Sequence, residues 1–176
     1  VFFALSHGVH RGVLKTGKID DRILFLNNLK KVTPNVKFDI YGIDKVQPIW
    51  ADHYFKTISN AKMGLNLSRG EAIKYYSSDR ITQIVGNGLV CLIDEKTGYR
   101  NFFNNNEMIF YKSVNDLSEK IMKVSADEKF RKKVARNGKI KYMKYFNSDL
   151  VSEYIIDKTL DIKSNKKYLW ENKKKH

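Results

Sequence analysis

Lys62-Met63-Gly64-Leu65-Asn66-Leu67 and Leu89-Val90-Cys91-Leu92-Ile93 are two short apolar runs separated by one polar loop and one helical segment. The loop runs from Ser68 to Ser78. The helix spans about Asp79 to Asn87, with Ser77 or Ser78 as its cap and Asp79 favourably placed at its positive end. Gly88 ends it. Strand, helix, strand over so short a distance is a crossover unit, which joins parallel neighbours in one sheet.

The same alternation extends in both directions. Upstream, Val1 to Leu5 reads as a buried strand. Residues 6–20 form a loop, and Asp20 or Asp21 caps a helix with Ile23, Leu26 and Leu29 on its apolar face. Pro34-Asn35 breaks that helix. Val36 to Tyr41 is a second strand, stopped at Gly42, and a helix near 51–60 follows a loop containing Pro48. Downstream, Glu107 to Tyr111 is a further strand. Helices at 114–125, 127–145 and 148–160 complete the chain, the first two capped by Ser113-x-x-Asp116 and by Asp127. The predicted class is α/β: a Rossmann-like parallel sheet with helices on both faces, spanning residues 1–162. Lys163 to His176, with six Lys and one Glu, is predicted to be a solvated basic tail.

The chain has 176 residues and a net charge of +14, of which the tail supplies +5. An apolar fraction of 42% excludes a disordered chain. The single Cys91 excludes a disulfide framework and a cysteine-based zinc site, and within its apolar run it reads as a small core residue. No apolar run approaches the roughly 20 residues that cross a bilayer. Val1 opens directly into a strand without an initiator Met, so the chain is expected to be a piece of a longer protein.

Ligands of an open parallel sheet bind outside the carboxyl ends of its strands. Loop 6–20 combines glycines, Gly12 among them, with Arg11 and Lys15, which together suit an anion. It is not a P-loop, because Val13 and Leu14 intervene between Gly12 and Lys15. Ser77-Ser78-Asp79-Arg80 opens a helix and offers hydroxyls and N–H groups. Gly86-Asn87-Gly88 is a tight helix-to-strand turn; its position and its missing third glycine exclude a dinucleotide fingerprint. His7, His10, His53 and His176 show no ligand spacing, and no Ser-His-Asp or Cys-His constellation is visible. In the aromatic pairs Tyr75-Tyr76 and Phe102-Phe103, one ring of each is expected in the core.

The run Ala61 to Arg69, the segment Tyr76 to Gly88, the Phe102-Phe103 turn and the stretch Phe130 to Gly138 together resemble the C-terminal half of GT-B glycosyltransferases. The closest pattern is the CgeB-like, or group 1, type. The similarity covers about residues 1–160. It implies a nucleotide-diphosphate-sugar donor bound without metal or other cofactor. Arg11, Lys15, Ser78 and Arg80 would face the diphosphate, with Gly12, Ser77 and Asp79 also donor-binding, Ser68 and Arg69 in the preceding loop, and the base around Tyr41-Gly42 to Pro48. Gln83 stands where the pattern has a ribose-binding carboxylate. An amide still donates and accepts but lacks the charge-assisted strength. The resemblance also implies a missing N-terminal domain carrying the acceptor, so that this half alone would be inactive. A cytoplasmic location is expected, with weak attraction to an anionic membrane surface; nucleic acid is disfavoured because the Lys residues are spread through the chain without a recognition motif. Two other classes stay open at this stage: a basic polyanion-binding protein, and a non-catalytic nucleotide-binding module.

Overall fold

The computed structural model describes residues 1–5, 20–76 and 78–171. Five strands, β1 (Phe2–Ala4), β2 (Asp39–Tyr41), β3 (Met63–Asn66), β4 (Val90–Asp94) and β5 (Ile109–Tyr111), form one all-parallel sheet in the order β2-β1-β3-β4-β5. Helices α1 (Asp21–Val32), α2 (Ala51–Asn60) and α3 (Asp79–Gly86) make the first three crossovers, while two short 3₁₀ turns lie between β4 and β5. Helices α4 (Val114–Ala126), α5 (Glu128–Tyr145) and α6 (Ser148–Thr159) follow the last strand. The architecture is Rossmann-like, as expected.

Period-two alternation sends successive strand residues to opposite faces. Phe3, Leu65, Leu92 and Tyr111 pack with Leu26 and Leu29 of α1 and Leu117 and Ile121 of α4. Phe2, Cys91, Ile93 and Phe110 pack with Ile58 of α2 and Ile81 and Ile84 of α3. Cys91 is a core residue, its thiol pushed up to about 12 by burial. β2 is shorter than the expected Val36–Tyr41 because its only partner among the described residues is the three-residue β1; Val36 and Phe38 still pack on the core.

Two glycines set close approaches. A Cβ on Gly64 would overlap the buried Ile84 side chain, so α3 lies directly on β3. A Cβ on Gly138 would overlap the Glu107 carbonyl, so α5 crosses the chain just ahead of β5.

The caps follow the sequence. Asp20 accepts from the Arg22 N–H at 3.0 Å, Ser113 from Asp116 and Asp127 from Phe130. The prediction for the tail is corrected in its described part. Tyr168 is 5% exposed, stacks on Trp170 and donates to Asp157 at 3.2 Å. Trp170 meets Phe146 at a ring distance of 5.7 Å. Phe146 in turn packs on Phe102, Phe103 and Tyr142. Lysine content drew the sequence reading; the three adjacent side chains Tyr168, Leu169 and Trp170 cover an aromatic cluster that outweighs it. Phe102 and Phe103 are both buried, where one was expected, because both join that cluster.

Two stability predictions follow from these contacts. Gly64→Ala forces Ile84 and α3 away from β3 and destabilises by about 1–3 kcal/mol, read from urea midpoints. The second concerns Asp20, whose carboxyl Arg22 holds below its ordinary 3.8 through hydrogen bonds. A depressed folded value contributes stability that is full above 3.8 and is lost as pH falls through the folded value. Asp20→Asn leaves the buried Arg22 uncompensated. It should cost about 3 kcal/mol at neutral pH and flatten the acid limb of a stability profile.

Candidate functional site

A parallel sheet changes winding direction where two crossovers leave one strand on opposite sides. Here that point lies between β1, which reaches β2 through α1, and β3, which is reached from β2 through α2. The N-termini of α1, α2 and α3 converge there, each with the positive end of its dipole toward the strand ends.

Arg80 in the first turn of α3 occupies the junction. Its Nη1 donates to the Leu67 carbonyl at 3.1 Å and to Asn66 Oδ1 at 3.4 Å. The guanidinium lies 5.2 Å from the centre of the Phe3 ring. Its Nε is buried and has no hydrogen-bond partner among the described residues. Burial lowers its pKa, and repulsion from Arg22 adds to the effect. Ser78, although at the N-cap, does not cap α3; its hydroxyl donates to Asn66 Oδ1 at 3.1 Å. Asn66 is 4% exposed and aligns both Ser78 and Arg80 from the end of β3.

Arg22 faces the same place from α1. A cation in the first turn of a helix opposes the dipole. The fully buried Asp20 offsets this with a two-pronged grip, accepting from Nε at 2.9 Å and Nη2 at 2.6 Å. Gly70 N–H donates to Asp21 at 2.9 Å and ties the loop after β3 to the start of α1. Tyr75 ties the far end of that loop, donating its N–H to the Thr97 carbonyl and packing on Phe102.

Two cavities flank Arg80 and share it. One, of about 400 Å³, is lined by Arg22, Ser68, Arg69, Glu71, Ser78 and Arg80, with Ile73 and Tyr76 at its rim. Three guanidinium groups against one carboxylate make it electropositive. The other, of about 310 Å³, has an apolar wall of Phe2, Ala4, Leu5, Ile49 and Tyr54. Asp79, Arg80 and Gln83 close its polar end, and Trp50, 62% exposed, stands at its edge. The first arrangement suits an anion of phosphate type, and the second an adjoining ring or sugar.

The structure therefore brings Ser68, Arg69, Ser78 and Arg80 together, and places Asp79 and Gln83 across Arg80 from them. Tyr41 and Gly42 end β2 and line neither of these two cavities. Tyr41 lies edge-on to His53 at 6.0 Å, and Gly42, at φ +75°, backs onto the Leu5 carbonyl, where a Cβ would overlap it. Arg11, Gly12, Lys15 and Ser77 lie outside the described residues. Sequence reasoning missed Arg22, Asn66 and the Trp50–Tyr54 wall as site residues. For Arg22 a signal existed: an arginine in a first helical turn, two residues after an aspartate cap, is unfavourable without another purpose.

No curated protein matches the chain. The family model described as glycosyl transferase-like matches residues 22–157, from the first turn of α1 into α6, and so includes Arg22, Asn66, Arg80 and Gln83. That match covers more than half of the chain, which belongs to the glycosyl transferase-like family.

Proposed function

We propose that the chain binds the nucleotide-diphosphate-sugar donor of a glycosyl transfer at the junction of β1 and β3. The observation that carries this reading is Arg80: a half-buried guanidinium whose Nε–H is buried and unpartnered among the described residues, shared by an electropositive and an apolar cavity. The diphosphate lies across Arg80 and Arg22, with Ser78 and Ser68 beside it. Arg11 and Lys15, which lie outside the described residues, add positive charge for the diphosphate in this reading. Gln83 faces the ribose as donor and acceptor.

As the bond from the anomeric carbon to the diphosphate breaks, its electron pair remains on the phosphoryl oxygen. Negative charge grows there, and the guanidinium groups of Arg80 and Arg22, already held in place by their own partners, stabilise it with little reorganisation. Three guanidinium groups disfavour a divalent cation in the same cavity, which supports a transfer that uses no metal. The acceptor oxygen attacks the anomeric carbon and passes its proton to a base. In the GT-B arrangement proposed here, acceptor and base belong to a second Rossmann-like domain facing this one.

Calorimetric titration with a panel of nucleoside diphosphates tests the reading. Binding to at least one is expected, weakened about 10- to 100-fold by Arg80→Ala, the range of one or more charge-assisted hydrogen bonds. Arg80→Lys keeps the charge but not the fork and should fall between the two. No binding to any member of the panel, or identical binding by Arg80→Ala, contradicts the proposal.

A further inference from the structure

A surface at the opposite end of the sheet points to a second interaction. Helix α5 carries eight Lys or Arg residues and one Glu, Glu128, which pairs with Lys132 at 2.7 Å. The inner side, Val134, Ala135, Gly138 and Tyr142, is buried. Lys129, Lys133, Arg136 and Lys139 recur every three or four residues on the exposed side, and Lys144 follows near the helix end. Lys129, Lys133, Arg136 and Lys139 have no ion-pair partner among the described residues. In the middle of this cationic side stand two apolar residues, Ile140 at 55% and Met143 at 44% exposure. They are three apart and therefore neighbours on the helix surface.

Position sets this surface apart from the donor site. Gly138 packs on Glu107, just ahead of β5, and Lys139 lies beside Gly88, just ahead of β4. The helix thus crosses the amino ends of the strands, while Arg80 stands at the carboxyl ends. Lys62, exposed ahead of β3, adds to the positive potential there.

We propose that the outer side of α5 docks on an anionic lipid bilayer. At 18 residues the helix presents a strip about 27 Å long. Lysines spaced along it meet lipid headgroups, and Ile140 and Met143 enter the boundary between headgroups and acyl chains. A nucleic-acid backbone would satisfy the cations equally but has no use for an exposed apolar pair at their centre. The occupied helix lies flat on the surface and does not insert, since no helix among the described residues is long and apolar enough to cross a membrane.

Flotation of the 176-residue chain with phosphatidylglycerol–phosphatidylcholine vesicles tests this. Binding is expected at low salt and absent on pure phosphatidylcholine. Lys133→Gln with Arg136→Gln should lower the partition coefficient roughly 30-fold, at about fivefold per cation. Ile140→Ser with Met143→Ser should lower it roughly 5-fold at unchanged charge. The pair Lys30→Gln with Lys31→Gln, exposed at the end of α1, should change it little. Nucleoside diphosphate titration should be unaffected by all three, which separates this surface from the donor site. Three outcomes overturn the proposal. These are no binding to anionic vesicles, an equal loss in the Lys30/Lys31 pair, or retention on duplex DNA with no effect of the Ile140/Met143 pair.

Discussion

Arg80 is held by the carboxyl end of β3, and the site around it depends on that hold. Asn66 and the Leu67 carbonyl fix one end of the guanidinium, Phe3 covers its face, and Nε is left without a described partner. A buried, unpartnered N–H costs free energy unless a ligand or another group satisfies it. The hold requires α3 to lie tight on β3, and Gly64 is what permits that approach. A backbone position deep in the sheet therefore governs the geometry of a side chain at its rim. The Asp20–Arg22 pair plays the corresponding part on α1, where a buried carboxylate orients a second guanidinium toward the same cavity.

Much of this was legible from residue order. The alternation of short strand-like runs with capped helical segments yields the sheet and its crossovers, because the inner strands are buried on both faces and read as apolar runs, while β2 at the edge alternates. Ser68, Arg69, Ser78 and Arg80 were legible as well, since loops at the carboxyl ends of parallel strands share one edge. What escaped depends on long-range packing. Trp50 and Tyr54 line a cavity only because α2 and α3 start side by side. Tyr168 and Trp170 join the core only because Phe146 and Tyr154 wait for them. A lysine-rich segment gives no local hint of either.

The charge of the chain resolves into parts with different roles. Arg22, Arg69 and Arg80 gather at one end of the sheet; Arg22 and Arg80 are oriented by acceptors, while Arg69 is exposed. Exposed cations of α5 gather at the other end around two apolar side chains, and Lys129, Lys133, Arg136 and Lys139 have no ion-pair partner among the described residues. The first set has the geometry of a site, since each buried guanidinium is held by named partners. The second has the character of a surface, where attraction depends on summed charge and on salt. Family membership fits the first without explaining the second.

The most direct test of the donor-site account is the side-chain Nε–H signal of Arg80 in a nitrogen-15 correlation spectrum recorded as a nucleoside diphosphate is added. The account predicts that this signal and that of Arg22 shift together and saturate, with the backbone amides of Ser78 to Arg80 following the same curve. Saturating shifts confined to residues away from the β1–β3 junction, with Arg80 unmoved, would contradict it.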